Sequence, residues 1–156
     1  MKPVNLFGEE WFEEYEEQQA NPTAHSIPTG LPTLNRICND QGQRRGFGPW
    51  LVILAGNPGL GKTTVALSMC AAALKDGHSV GMINLEQTNV QLATRLYSIY
   101  TGSKLRNLET GGFNSFAWTQ TKQAMRGAPA LYVPEGILMS WEEILAYARS
   151  CYELGC

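Results

Sequence analysis

Apolar positions along this chain have two textures. Short unbroken runs occur at 50–55 (Trp50-Leu51-Val52-Ile53-Leu54-Ala55), 80–85 (Val80-Gly81-Met82-Ile83-Asn84-Leu85) and 130–133 (Ala130-Leu131-Tyr132-Val133). They read as strands buried on both faces. Between them, apolar residues recur every three or four positions, the spacing of a helix with one inward face. Thr64 to Lys75 is rich in helix formers and stops at Gly77. Asn89 to Tyr100 sets Val90, Ala93, Leu96 and Tyr97 on one face and ends before Gly102. Ser115 to Arg126 closes at Gly127, with Phe116, Ala117 and Trp118 as bulk for the core. Ser140-Trp141-Glu142-Glu143 is a capping box. It opens a helix from Trp141 to Leu154, with Ile144, Leu145 and Ala148 inward. Strands alternating with helices predict an α/β fold, a mainly parallel sheet with flanking helices.

The N-terminal stretch has a different pattern. Phe7, Trp11 and Tyr15 recur every four residues, Phe12 lies beside them, and glutamates fill the remaining faces. This predicts an amphipathic helix over 6–19, broken by Asn21-Pro22-Thr23. The chain divides accordingly into an acidic aromatic helix, 1–22, and a domain, 23–156. The aromatic stripe needs a surface to cover it. Either its own domain or a neighbouring subunit would serve. Ser26 to Asn35 carries two prolines and a glycine and reads as a turn with a short helix to about Ile37. A polar connection with Arg44 and Arg45 follows and reads as a solvated loop. Leu105, Leu108 and Phe113 belong to a looser segment broken at Gly111-Gly112.

Composition narrows the class. With 156 residues, 44% hydrophobic and 17% charged, the chain is globular and long enough for one domain. No apolar run reaches a membrane-spanning length and nothing resembles a signal peptide, so the expectation is a soluble cytoplasmic protein with no membrane partner. Cys38, Cys70, Cys151 and Cys156 lack metal-ligand spacing. Cys70 reads as a small buried apolar group. The net charge of −2 hides an asymmetry: residues 1–20 hold six acids and one base, and the remainder is net positive. Arg95, Lys104, Arg106, Lys122 and Arg126 face one acid, Glu109, a mild excess compatible with a nucleic-acid partner but too weak to demand one.

The chemistry concentrates at Gly56-Asn57-Pro58-Gly59-Leu60-Gly61-Lys62-Thr63-Thr64, which fits the phosphate-loop pattern G-x-x-x-x-G-K-[ST]. A predicted strand precedes it and a predicted helix follows, the context that turns the pattern into a site. Glycines let successive N–H groups curl toward phosphate oxygens. The helix adds the positive end of its dipole. Lys62 reaches the outer phosphates as a point charge, and the Thr63 hydroxyl ligates Mg²⁺. The bland alternative is a glycine-rich turn that binds nothing.

Glu86 stands at the carboxyl end of the second predicted strand, the rim where ligands bind in open parallel sheets. A carboxylate there can orient or deprotonate a water attacking the γ-phosphate. Its alternative is a solvated cap of the next helix. Arg95, on that helix, is either a surface residue or directed at the site.

Together these features resemble a RecA-like motor core, and more narrowly the DnaB-like replicative helicases, from about Ile27 onward. Thr29-Gly30 followed by Leu34-Asn35 resembles the family's "T-G-x-x-x-L-[ND]" run. Trp50 to Thr64 resembles its Walker A strand and loop. Asn84-Leu85-Glu86 resembles its "S-L-E" segment, whose glutamate is the catalytic base, with Arg95 matching an arginine nine residues on. Leu131-Tyr132-Val133, then Ser140-Trp141-Glu142-Glu143-Ile144, resembles the run ahead of Walker B. The resemblance implies ATP and Mg²⁺ as ligands and single-stranded DNA as a partner of the complete protein. It implies a homo-oligomeric ring in which the N-terminal helix packs on the next subunit, and a bacterial or phage origin. In this family a strand ending in aspartate comes next. The sequence ends at Leu154-Gly155-Cys156, so the expectation is a nucleotide-binding first half whose hydrolysis and unwinding need the remainder. Two other readings stand beside it. One is a different RecA-like ATPase, such as a recombinase or a repair- or clock-type regulator. The other is a nucleotide-binding interaction module without catalysis.

Overall fold

The computed structural model describes residues 26–38, 46–48, 51–111, 115–136 and 140–156, with Glu13, Glu16, Glu17 and Ala20 ahead of them. At 117, 120, 121 and 124 only the backbone is described. The aromatic stripe Phe7, Trp11 and Tyr15 lies outside the described residues, as do Arg44, Arg45, Trp50 and Phe113.

The elements run α1 (Pro32–Ile37), α2 (Lys62–Lys75), β1 (Val80–Gly81), α3 (Asn89–Thr101), α4 (Leu105–Glu109), α5 (Ser115–Arg126), β2 (Leu131–Tyr132) and α6 (Trp141–Glu153). β1 and β2 pair in parallel, Val80 opposite Leu131 and Gly81 opposite Tyr132. The Met82 N–H extends the ladder by donating to the Tyr132 carbonyl at 2.9 Å. A parallel pair needs a long crossover, which α3, α4 and α5 supply.

Helix boundaries follow local chemistry. α2 stops because Gly77 takes a left-handed conformation, φ 97°. There the His78 N–H donates to the Ala73 carbonyl and the Gly77 N–H to the Leu74 carbonyl, a Schellman end. α3 opens on a reciprocal capping box between Thr88 and Gln91, and α6 on one between Ser140 and Glu143.

The core lies where α2 crosses α3 over the strand pair. Leu67, Ala71 and Leu74 of α2 meet Leu92 and Leu96 of α3, flanked by Val80, Met82, Leu131 and Val133. Leu67 and Leu92 are fully buried. Truncating either to alanine in such a setting costs about 2–5 kcal/mol.

The Thr29-Gly30 turn is pressed onto α2. Gly30 has φ 72°, and a Cβ there would lie 2.9 Å from the Ala72 Cβ and 3.2 Å from the Ser68 carbonyl oxygen. Asn35 Oδ1 holds the turn shut by accepting from both the Thr29 N–H and the Thr29 hydroxyl. Thr29 is almost wholly buried. Thr29, Gly30 and Asn35 thus work as one packing device that braces the helix after the phosphate loop.

Four expectations are corrected. Leu51 to Ala55 carries no strand ladder and is exposed, Leu51 at 91% and Ile53 at 82%. A strand needs a neighbour for its N–H and C=O groups, and among the described residues the one ladder is β1–β2, elsewhere. On α3 the inward positions are Leu92 and Leu96, whereas Val90 is 76% exposed. Phe116 is also largely exposed rather than in the core; Trp118 beside it is half-buried, edge-on to the Tyr97 ring at 5.6 Å. On α6, Leu145 and Ala148 face out, and Ile144, Tyr147 and Cys151 form the inner stripe against β1. Among the described residues no helix is long and apolar enough to cross a membrane.

Candidate functional site

The phosphate loop turns through Pro58 and Gly59 into α2, which starts at Lys62. Gly59 (φ 81°) and Gly61 (φ 86°) are left-handed, and a Cβ at either would meet no atom within 4 Å. Their requirement is therefore backbone conformation, not space. The first intrahelical bond runs from the Val65 N–H to the Gly61 carbonyl, so the N–H groups of Lys62, Thr63 and Thr64 lie ahead of the helical ladder. No acidic residue sits in this first turn to offset the positive helix end. The Lys62 ammonium folds back over its own loop, donating to the Gly56 carbonyl at 2.8 Å and the Asn57 carbonyl at 3.0 Å.

A cleft of about 810 Å³ opens in front of this turn, a size that suits a small organic ligand. Pro58, Gly59, Gly61, Lys62, Thr63 and Thr64 form one wall; Glu86, Gln87 and Arg95 line the other. Gly56, Asn57 and Leu60 lie in the loop but off the cleft lining; Leu60 points outward.

Glu86 reaches the cleft because the chain leaves β1 and bends at 85–87. Asn84 fixes that bend: its side-chain amide donates to the Gln87 carbonyl, and its Oδ1 accepts from the Glu86 N–H at 3.4 Å. Glu86 itself is exposed and forms no ion pair among the described residues. It does not cap α3. Thr88 holds that position, accepting from the Gln91 N–H while Gln91 Oε1 accepts from the Thr88 N–H. The capping alternative for Glu86 is thereby removed. Arg95, half-buried on α3, faces the cleft rather than open surface. Asn89, the first residue of α3, donates to the Pro134 carbonyl at 3.0 Å and ties the cleft-side end of that helix to the segment after β2.

Two further residues line this cleft without a sequence signal: Asn84 lies inside the apolar run 80–85, and nothing local marks Gln87. Gln87 Oε1 is buried without a hydrogen-bond partner among the described residues. The Thr88-x-x-Gln91 capping box, by contrast, was legible as a pattern and would have excluded the cap reading of Glu86.

Among the described residues no three His, Cys, Asp or Glu side chains converge. Thr63 lines the cleft at the mouth of α2, where its hydroxyl could serve a hard cation that takes only one or two protein oxygens.

Comparison with known proteins agrees with this geometry. The profile of the DnaB-like helicase C-terminal domain matches residues 26–154. The Replicative DNA helicase DnaB of Helicobacter pylori (strain 26695) is 34% identical over 92 residues, covering 59% of this chain and 18% of that protein. That of Leifsonia xyli is 31% identical over 128 residues, 79% of this chain and 26% of that protein. That of Buchnera aphidicola from Schizaphis graminum is 26% identical over 137 residues, 85% and 28%. The matches thus span less than a third of these relatives' own length. With a phosphate loop, a parallel strand pair and a carboxylate beyond β1 in one α/β framework, the chain belongs to the DnaB-like helicase C-terminal domain family and has its RecA-like P-loop fold.

Proposed function

We propose that the chain is the ATP-binding portion of a DnaB-like replicative DNA helicase. One observation carries the reading: Pro58, Gly59 and Gly61 to Thr64 of the phosphate loop line a single cleft with Glu86 and Arg95, although Pro58 and Arg95 are 37 positions apart in the sequence. Gly56 to Thr64 wraps the phosphates with backbone N–H groups. Lys62 exchanges its two loop carbonyls for the outer phosphate oxygens. Thr63 supplies the protein oxygen to Mg²⁺, which when bound neutralises phosphate charge. Glu86, held out by Asn84, orients the attacking water and accepts its proton. Arg95 adds positive charge on the far wall.

Residues 1–22 act as a linker helix whose aromatic face docks on the next subunit of a ring, and 23–156 as the nucleotide domain. Translocation on single-stranded DNA and unwinding are activities of the complete ring, in the cytoplasm of a bacterium or of a phage-infected cell. The names of the relatives support the helicase part of this reading.

The test is thermal. ATP with Mg²⁺ at about 100 times its Kd stabilises a binding chain by about 2.7 kcal/mol, seen as a rise in Tm. Lys62→Ala abolishes that rise while leaving the Tm without nucleotide unchanged. An unsubstituted chain whose transition does not move at millimolar ATP overturns the reading.

A further inference from the structure

Helix α6 ends in the same six-to-one geometry as α2, but with cysteines at the two contacting positions. The Cys156 N–H donates to the Cys151 carbonyl at 3.0 Å, and the Gly155 N–H donates to the Tyr152 carbonyl at 3.1 Å, with Gly155 at φ 78°. In a Schellman end the side chains at these two positions pack against each other. Standard bond lengths cap the Cα separation across that 3.0 Å contact at about 7 Å, and disulfides span about 4.4–6.8 Å. Both cysteines are free thiols. Cys151 is buried against β1 and Cys156 is exposed. The Tyr147 hydroxyl, one turn before Cys151, is buried without a hydrogen-bond partner among the described residues.

We propose that Cys151 and Cys156 form a reversible disulfide across the end of α6, with Cys156 as the entry thiol and Cys151 as the resolving one. The oxidant is a low-molecular-weight disulfide. The Cys156 thiolate attacks one of its sulfurs, the S–S bond breaks, and the first small thiolate leaves and takes up a proton. The Cys151 thiolate then attacks the Cys156 sulfur of the mixed disulfide and expels the second small thiolate. Two protein thiols lose two electrons and two protons, and the oxidant becomes two thiols. Excess small thiol runs the sequence backward. The neighbouring groups set the rate. Partial desolvation at the helix end, then the adjacent Cys151 sulfur, push the Cys156 thiol above its ordinary range. Closure is therefore slow at neutral pH and quickens by up to about tenfold per pH unit below that thiol's pKa. Tyr147 lies within range of the Cys151 sulfur, where its hydroxyl can donate to the thiolate.

The experiment uses the reduced chain and oxidised glutathione at mildly alkaline pH, followed by intact mass and tryptic mapping. The expected product has lost two hydrogens and carries no adduct. The loss maps to the tryptic peptide that begins at Ser150 and holds both cysteines, released by cleavage after Arg149. Cys38→Ser with Cys70→Ser leaves closure intact, and Cys156→Ser, an exposed change, removes it. Three results would overturn the proposal: a stable glutathione adduct on Cys156 with Cys151 still reduced, a covalent dimer, or a bond to Cys38 or Cys70.

Discussion

The sulfur of Cys151 occupies the space that a side chain at residue 81 would need. A Cβ at Gly81 would lie 2.6 Å from the Cys151 Sγ and 3.0 Å from its Cβ. This contact seats α6 on β1. Gly81→Ala is therefore expected to destabilise the fold by about 1–3 kcal/mol, measured as a lower urea midpoint. In a Cys151→Ala background the cost shrinks, because the sulfur is gone. Strict additivity of the two changes would contradict the contact.

Asn35→Ala removes the one acceptor shared by the Thr29 N–H and hydroxyl. Thr29 is nearly fully buried, so its N–H loses its partner away from water, while its hydroxyl keeps only the longer contact to the Leu31 carbonyl at 3.3 Å. A loss of about 1–3 kcal/mol is expected, and Asn35→Asp, which keeps the acceptor, should recover part of it. Equal losses in the two variants would argue against the hydrogen bonds as the cause.

Glu86→Gln in a full-length relative context should keep ATP binding and lower turnover by about 10²–10⁴-fold, the range of a lost general base. Asn84→Ala should lower turnover less, since it loosens the bend that aims Glu86 without removing the carboxylate. Turnover that survives Glu86→Gln would assign the base elsewhere.

Burial raises the Cys70 thiol above its ordinary 9.0, with a backbone hydrogen bond opposing part of the effect. The unfolded thiol ionises near the ordinary value while the folded one stays protonated. The stability it contributes is thus full below pH 9 and falls as pH rises through the folded value. Cys70→Ala should flatten the alkaline limb of a stability–pH curve. The thiol, half-buried on α2, should also react slowly with iodoacetamide in the native state, and rapid labelling at pH 8 would contradict its raised pKa.

The loop and its helix were more legible than the sheet. The left-handed Gly59 and Gly61, and the helix that opens at Lys62, follow local backbone requirements that a pattern can encode. The place of Glu86 on the cleft lining followed from its position after an apolar run. Gly77, Gly102 and the Ser140 capping box marked helix ends for the same local reason. What the pattern could not deliver was anything that depends on a neighbour. Leu51 to Leu54 has the composition of a buried strand, but pairing is a property of two segments. Leu145 and Ala148 fit a helical period as well as Tyr147 and Cys151 do; only the closeness of Gly81 selects the second pair. Asn84 looked like a strand residue because it sits in the run that continues β1, where its side chain fixes the bend at 85–87.

The exposed run from Leu51 to Leu54 has a physical consequence beyond the fold. It is apolar and β-prone, holds no proline and no charge, and presents backbone N–H and C=O groups with no ladder among the described residues to take them. Such a segment is a template for self-association. At high concentration the chain is expected to lose solubility through this stretch ahead of any other, and a single charged gatekeeper, Ile53→Lys, should slow the appearance of thioflavin-positive aggregates without touching the phosphate loop three residues on.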